Sequence, residues 1–259
     1  MIFGILGFGK MGGAFAVGAE KLYGKENIVV FDAAPSARER AEKSGYKSVN
    51  TASELFDSSE FILVSVKPQD LADAVRDVSA RGKTVLSIAA GVKTETLAEL
   101  FDGALIARAM PNTCAQILKC CSTLSFAKDF PISEKKKVED LLDALGGFVE
   151  VSEKAINDLL AVGGSFTAYT YLYLKYFAEY AAERGVDRLT AITLAAKTAI
   201  GASEMILKGE KDVDALIKDV CSKGGTTLAG LAELDVEDFR SAIKKCVNAC
   251  SDRAEELGK

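Results

Sequence analysis

Three glycines near the start of the chain, Gly7, Gly9 and Gly12, have the residue type and spacing that bind a nucleotide pyrophosphate. The apolar run 2–6 predicts a buried strand before them, and residues 10–23 predict a helix after them. The first glycine permits the tight bend, the second lets backbone N–H groups approach the phosphates, and the third lets helix and strand pack closely. The pattern predicts a dinucleotide-binding turn made of Gly7, Phe8, Gly9, Lys10, Met11 and Gly12.

Asp32 ends the second predicted strand, 20 residues after Gly12. A carboxylate at this place accepts hydrogen bonds from the adenosine ribose hydroxyls, which favours NAD. Ser36 and Arg38 lie a few residues downstream, where a hydroxyl and a cation can reach the 2′-phosphate of NADP. In a third interpretation, Asp32 only caps the helix near Ser36. From these residues alone, NADH and NADPH are equally supported as cofactors.

Three more turns follow predicted strands, and small or polar residues dominate them. Ligands of open α/β sheets bind outside the carboxyl ends of the strands, so we expect these turns to border the cofactor. Taken singly, each turn is explained equally well as an ordinary loop. The predicted cofactor residues in them are Val66, Lys67, Pro68, Ala89, Ala90, Gly91, Met110, Pro111 and Asn112.

The segment 222–227, Ser-Lys-Gly-Gly-Thr-Thr, precedes a helical pattern that begins near Leu228. Glycines and hydroxyl residues at a helix start provide free N–H groups and hydroxyls, which suit a carboxylate. An ordinary helix–helix loop with a good N-cap explains the segment equally well. Gly163 and Gly164 interrupt another apolar helical pattern, at a cost in helix propensity.

The elements that must position these residues divide the chain into two halves. Strand and helix patterns alternate in the first half, which predicts a parallel sheet covered on both faces. The second half contains only helical patterns. We therefore predict an α/β protein, with an N-terminal Rossmann-type dinucleotide-binding domain at 1–151 and an all-α helical dimerisation domain at 152–259. The predicted strands are 2–6, 27–31, 61–66, 84–88, 104–110, 121–127 and 148–151; the helices include 36–44, 69–80, 94–100, 133–144, 155–183, 189–207, 213–220 and 236–257.

Composition excludes several classes of function. The chain has no histidine among its 259 residues, which excludes Ser-His-Asp and Cys-His nucleophiles, histidine acid–base catalysis and imidazole zinc sites. The six cysteines form no C-x-x-C pair, so we predict reduced thiols and no metal site. No apolar run reaches membrane-span length, no basic patch stands out, and no leader pattern precedes the first strand. We expect a cytoplasmic protein without a nucleic-acid or membrane partner.

Taken together, these motifs resemble the Δ1-pyrroline-5-carboxylate reductase family. The glycine turn with Met11, Val-Lys-Pro, Ser-Ile-Ala-Ala-Gly-Val, Met-Pro-Asn-Thr, Gly-Ser-x-x-Ala-Tyr and Gly-Gly-Thr-Thr occur in the order and spacing of the family. The resemblance implies a Rossmann domain and a helical domain that forms a homodimer, with larger rings of dimers such as decamers. It implies reduction of the cyclic imine pyrroline-5-carboxylate to L-proline, the last step of proline biosynthesis, by NADPH or NADH.

The resemblance also implies roles for single residues. Thr227 matches the threonine placed to hydrogen-bond the imine nitrogen, Asn50 matches an asparagine near the adenosine ribose, and the nicotinamide is expected near Met110. The substrate carboxylate is expected against Ser222, Gly224, Gly225 and Thr226. The family usually has proline where this chain has Cys114, Thr167 and Lys223.

Two alternative functions remain open from the sequence. The first is a β-hydroxyacid-dehydrogenase-type reductase, for which Lys175 is the nearest candidate for the catalytic acid. The second is a non-catalytic scaffold or sensor that binds NAD(P). The Gly-Gly-Thr-Thr segment argues against the first alternative, and the matches in both halves argue against the second.

Overall fold

The computed structural model describes residues 1–257. One compact unit contains Met1–Ser165 and residues 249–257. Its centre is an eight-stranded sheet in the order β3-β2-β1-β4-β5-β6-β7-β8. The strands are β1 Phe3–Leu6, β2 Ile28–Phe31, β3 Lys47–Ser48, β4 Phe61–Val64, β5 Thr84–Ser87, β6 Leu105–Met110, β7 Ser122–Phe126 and β8 Phe148–Glu150. The Rossmann-type fold predicted for the N-terminal half is confirmed.

The predicted parallel sheet contains one antiparallel strand pair, which the sequence had not indicated. β6 and β7 run antiparallel, with Ala107 opposite Phe126 and Met110 opposite Thr123, whereas β7 and β8 are parallel. Parallel neighbours need a crossover of about a dozen or more residues, usually a helix. Only a short 3-10 helix, Thr113–Ile117, lies between β6 and β7, so the chain turns back on itself.

The strands are apolar on both faces because helices cover both sides of the sheet. Phe3 and Ile5 belong to one buried cluster, and Leu6 belongs to a second cluster. Alternate residues of a strand point to opposite faces, so the two clusters are the two halves of the core. The helices of this unit are α1 Lys10–Tyr23, α2 Pro35–Lys43, α3 Ala52–Ser58, α4 Pro68–Ala74, α5 Thr94–Leu100, α6 Ile132–Ala144, α7 Glu153–Asp158 and α8 Leu160–Gly163.

Several element bounds differ from the sequence prediction. The helix predicted at 155–183 is interrupted, because the structure has α7, α8 and then α9 Phe166–Ala182. The breaks fall at Leu159 and at Gly164 and Ser165, and the second lies in the run 163–165, whose glycines had marked it by their low helix propensity. The helix predicted at 69–80 ends at Ala74, and the short β3 had not been predicted.

The second compact unit, Phe166–Asn248, is entirely helical. Its helices are α9, α10 Arg188–Lys208, α11 Val213–Val220, α12 Thr226–Val236 and the first part of α13 Phe239–Leu257. The two compact units divide after Ser165, 14 residues beyond the boundary predicted at 151/152. The boundary at 151/152 stays a prediction. Within residues 1–257, none of the helices combines the length and apolar character required to cross a membrane.

Candidate functional site

The predicted cofactor turns share one edge of the sheet. Leu6 of β1 lies opposite Phe31 of β2 and opposite Val64 of β4, and Val64 lies opposite Ser87 of β5. These strands are parallel, so the turns that follow them all leave at the carboxyl edge. Chain order reverses at β1, which has β2 on one side and β4 on the other, and this is where open α/β sheets bind their ligands.

The glycine turn has the geometry that the sequence predicts. Gly7 has φ +96°, a conformation that side chains disfavour. A Cβ at Gly12 would collide with the carbonyl oxygen of Gly7 and would lie 2.9 Å from Ser65 Oγ. A Cβ at Gly9 would meet nothing within 4 Å, so this glycine faces open space. Gly7 and Gly9 thus have different roles, as expected from the motif. Gly7 allows the chain to bend, and Gly9 leaves open space beside the N-terminus of α1.

Charged side chains hold Phe8, the residue in the middle of this turn, from both sides. Its N–H donates to Asp32 Oδ2 at 2.7 Å, and its carbonyl oxygen accepts from Arg40 Nη2 at 3.1 Å. Phe8 is buried and its ring lies edge-on to Tyr46. The contact of Arg40 with Phe8 was not predictable from the sequence, because no local pattern relates residues 32 positions apart.

Asp32 and its loop form a second set of contacts. Asp32 Oδ1 accepts the N–H of Ala34 at 2.8 Å, and the Asp32 carbonyl accepts from Arg38 Nη1 at 2.6 Å. The same Arg38 nitrogen lies 3.3 Å from the Ala33 carbonyl. Asn50 is exposed after β3, which pairs with β2, so Asn50 also leaves the carboxyl edge near Asp32.

Ser65 is a further residue that the sequence analysis missed. Its hydroxyl donates to the Gly7 carbonyl at 2.6 Å and lies 3.1 Å from the Leu6 carbonyl. It connects the turn after β4 to the glycine turn, next to Val66. The sequence feature that could have indicated Ser65 is its hydroxyl, directly after the apolar run Phe61–Val64.

The remaining turns after β4 and β5 begin helices. Lys67 is exposed at the N-cap of α4, and Pro68 occupies the first helical position, where its missing N–H costs nothing. Ala89 is buried, and Gly91 is buried with φ +80°. The side chains of Ala89 and Ala90 are small and occupy little space at the carboxyl edge of the sheet.

The Met110–Asn112 turn is fixed by the side chain of Asn112. Its Nδ2 donates to the Gly163 carbonyl at 2.8 Å, and its Oδ1 accepts the N–H of Cys114 at 3.0 Å. A proline at position 114, as is usual in the family, has no N–H to donate. Cys114 therefore adds a backbone bond to this turn, and burial raises the pKa of its thiol.

An ion pair between the buried Arg108 and the partly exposed Glu153 supports β6 below this turn. Arg108 is 2% exposed; its Nη1 lies 3.4 Å from Glu153 Oε1, and its Nη2 donates to Asn157 Oδ1 at 2.9 Å. Burial lowers the pKa of the Arg108 guanidinium, and the charge of Glu153 opposes that shift. Glu153 also accepts the N–H and the hydroxyl of Thr94 at 2.5 and 2.7 Å. The network ties β6, α5 and α7 together.

These residues fit a dinucleotide. The first N–H groups of α1 have no partner inside the helix, the open side of Gly9 gives access to them, and the helix dipole favours an anion there. The turn also borders a cavity of about 700 Å³ lined by Phe8, Gly9, Lys10 and Arg40. The residues that would hold the phosphates are therefore Gly9, Lys10 and Met11.

The candidate substrate segment lies in the other unit, at the start of α12. Gly224 has φ +71°, and the Gly225 N–H donates to the Ser222 carbonyl at 2.9 Å, which closes a tight turn. Gly225 is the N-cap and makes no side-chain cap bond. Thr226 and Thr227 are the first two residues of the helix, so their N–H groups belong to its unpaired first turn. Lys223 is exposed within this turn.

Two other residues named from the sequence lie on α9. Lys175, the acid of the alternative reductase mechanism, is half-exposed and lies 3.8 Å from Glu179. Thr167 is the second residue of the helix. The family usually has proline at this position, in the first turn of the helix, where proline is tolerated. Threonine in its place leaves the start of the helix intact.

Comparison with known proteins agrees with both halves of the chain. The sequence model of pyrroline-5-carboxylate reductase dimerisation matches residues 153–257, and that of coenzyme F420-dependent NADP oxidoreductases matches residues 2–91. A pyrroline-5-carboxylate reductase of Aquifex aeolicus is 30% identical over 98% of this chain and 96% of its own length. One from Synechocystis is 35% identical over 99% of this chain and 98% of its own.

Solved structures are also similar over the whole chain. Plasmodium falciparum pyrroline carboxylate reductase with NADP bound has a TM-score of 0.91 and 25% identity, covering 100% of this chain and 98% of its own. The enzyme from Streptococcus pyogenes has a TM-score of 0.91 and 26% identity, covering 99% of this chain and 98% of its own.

Proposed function

Because this chain belongs to the pyrroline-5-carboxylate reductase family, we propose that it reduces Δ1-pyrroline-5-carboxylate to L-proline with NAD(P)H. One observation carries the proposal. The same chain has a glycine turn with the geometry of a phosphate-binding turn and, at the start of a helix, the Ser222–Thr227 segment. Each feature suits one half of the reaction, since the first binds the hydride donor and the second binds an anionic imine.

The proposed cofactor site lies in the sheet-containing unit. Gly9, Lys10 and Met11 bind the pyrophosphate at the N-terminus of α1, while Gly7 and Gly12 let strand and helix approach. Asp32 and Asn50 contact the adenosine ribose. The nicotinamide lies along the turns that follow β4, β5 and β6. Those turns are formed by Val66, Lys67, Pro68, Ala89, Ala90, Gly91, Met110, Pro111 and Asn112.

The proposed substrate site uses the start of α12. Backbone N–H groups at Thr226 and Thr227, with the Ser222 hydroxyl and the glycines Gly224 and Gly225, bind the carboxylate at the positive end of the helix dipole. The Thr227 hydroxyl orients the nitrogen of the protonated imine and, once hydride transfer has made that nitrogen a neutral amine, relays a proton to it from water. When bound, the reduced nicotinamide supplies the hydride.

The chemistry needs no histidine. A protonated imine is already electrophilic, so the protein contributes mainly by holding the C=N bond in a fixed position and orientation. This suits a chain without histidine, in which a hydroxyl is the only polar side chain proposed to reach the imine nitrogen.

We also propose a homodimer assembled through the domain 152–259, from which larger rings such as decamers can form. The dimerisation match at 153–257 supports this assembly. We propose a cytoplasmic location, with no nucleic-acid or membrane partner, and the six free thiols are in keeping with a reducing compartment.

The test is turnover of pyrroline-5-carboxylate with NADH and with NADPH, followed by loss of reduced-nicotinamide absorbance and by chromatography of the product. We expect proline to form in proportion to the cofactor oxidised. Tight NAD(P)H binding without any turnover of the imine would overturn the proposal and favour a non-catalytic nucleotide-binding protein.

A further inference from the structure

Asp32, which left NADH and NADPH equally supported in the sequence, is held in place in the structure. Its Oδ2 accepts the Phe8 N–H at 2.7 Å and its Oδ1 accepts the Ala34 N–H at 2.8 Å. We infer that Asp32 makes this enzyme select NADH over NADPH. The inference rests on the proposed function only in that the chain uses one of these two cofactors.

The two backbone bonds leave Asp32 able to bind a ribose. A carboxylate offers about four lone-pair sites, and the N–H groups of Phe8 and Ala34 occupy two of them. Asp32 follows the last residue of β2, at the sheet edge where dinucleotide-binding folds place the acid that accepts the ribose 2′-hydroxyl. The free lone pairs can therefore accept the hydroxyls of NADH.

A 2′-phosphate meets the opposite situation. In NADPH the phosphate takes the place of the 2′-hydroxyl, so the hydrogen-bond donor is lost. Like other phosphate monoesters, this group carries about −1.5 to −2 charges at neutral pH. Like charges at close range repel, and an unanchored aspartate would relieve the repulsion by rotating away. Rotation of Asp32 would break its bonds to Phe8 and Ala34, and the first of these supports the phosphate-binding turn itself.

Arg38 is the cation, and Ser36 the hydroxyl residue, that could reverse this preference by binding the 2′-phosphate. For Arg38, the structure shows other contacts. Its Nη1 is turned to the carbonyl oxygens of Asp32 and Ala33, at 2.6 and 3.3 Å, and its guanidinium lies over the Phe31 ring at 6.0 Å. Two alanines follow Asp32 and offer no hydroxyl to a phosphate; the first hydroxyl after Asp32 in the sequence is that of Ser36, an exposed residue in the first turn of α2. Arg38 therefore holds the loop as a positioning residue.

The first experiment uses the unmodified protein and two fragments that differ only by the 2′-phosphate. Competition of 5′-AMP and of 2′,5′-ADP against bound NADH is followed by nicotinamide fluorescence, without any imine present. We expect 5′-AMP to bind about tenfold more tightly, or better, because the fragment with the phosphate loses a hydrogen bond and meets a fixed anion. Tighter binding of 2′,5′-ADP would overturn the inference.

The second experiment compares variants by the ratio of the NADPH and NADH dissociation constants. Asp32→Asn removes the charge and is expected to lower this ratio about tenfold, whereas Arg38→Ala should change both constants alike. Asp57→Asn, an exposed residue of α3, removes the same charge and should leave the ratio unchanged. A ratio unaffected by Asp32→Asn, or a loss confined to NADPH in Arg38→Ala, would overturn the assignment.

These measurements separate two kinds of failure. Cofactor binding is read without substrate, so a chain that binds NADH selectively but leaves pyrroline-5-carboxylate unreduced would contradict the proposed function and not the role of Asp32. A chain that reduces the imine with a lower KM for NADPH would contradict the role of Asp32 alone.

Discussion

The two compact units bury their apolar side chains to very different extents. The sheet-containing unit has two continuous clusters of buried residues, one on each face of the sheet. In the helical unit, Phe166–Asn248, Ala178 is the only buried residue, and α10 has none along its 21 residues. Large apolar side chains such as Leu189, Leu194 and Ile200 are exposed there.

The difference in burial indicates which unit has a complete hydrophobic core within a single chain. Monomeric proteins rarely expose large contiguous apolar surfaces, and such surfaces mark interfaces with other proteins. The sheet-containing unit thus has its own core, whereas the helical unit leaves apolar helix surfaces exposed, as the proposed homodimer requires. Four predictions test this contrast and the share of each unit in the chemistry.

The largest effect is expected from a charge placed on the exposed apolar surface of α10. Leu194 is 67% exposed, and Leu194→Asp should weaken association about a thousandfold, because a buried, unpaired carboxylate is costly. Sedimentation over a range of protein concentrations measures the change. The control is Ile132→Asp in the other unit, which is 87% exposed and should leave association unchanged. Equal behaviour of the two variants would remove the contrast between the units.

The internal network of the sheet-containing unit provides the next test. Arg108→Met removes the buried partner of Glu153 and should lower the free energy of unfolding by about 3 kcal/mol. This is the lower end of the usual range, because Glu153 keeps its bonds to Thr94. Urea unfolding at one protein concentration gives the value.

The matched control for that network is Arg81→Met. Arg81 pairs with Asp102 at 2.5 Å, but the two side chains are 75% and 83% exposed. Solvent-exposed pairs contribute about 1 kcal/mol or less. A loss in Arg81→Met as large as that in Arg108→Met would show that the burial of the network does not matter.

Two neighbouring glycines test the phosphate-binding turn. Gly12→Ala places a methyl group against the Gly7 carbonyl, so the turn must shift, and NADH binding should weaken about a hundredfold. The methyl group of Gly13→Ala meets no protein atom within 4 Å, so the turn keeps its shape. Gly13 lines the same cavity, and binding should therefore weaken far less than in Gly12→Ala, while α1 is stabilised by about 1 kcal/mol. Fluorescence titration with NADH measures both, and similar affinities in the two variants would contradict the proposed turn.

The smallest effect is expected at the start of α12. Thr227→Ala should lower kcat by about ten- to a hundredfold with little change in the KM for NADH, as for the loss of one positioned donor. Thr227→Ser keeps a hydroxyl and should recover most of the activity. An unchanged kcat in Thr227→Ala would remove Thr227 from the reaction.

The sequence predicted those parts of the fold that depend on local patterns. The strand, turn and helix around Gly7 and Gly12 follow from residue spacing, and their bounds agree with the structure to within a residue. The break before α9, at Gly164 and Ser165, was visible as a run of poor helix formers. The direction of β7 was not predictable, because an apolar run has the same pattern in either orientation.

The contacts of the candidate site show the same division. Glycine positions and the acid at the end of β2 predicted the candidate dinucleotide site, because the backbone conformation of such a turn depends on the residues within it. Only the tertiary structure decided that Asp32 bonds to Phe8, that Arg40 holds the same peptide, and that Asn112 reaches Gly163. Each of these bonds joins residues 24 to 51 positions apart, and their geometry is set by the packing of whole strands and helices.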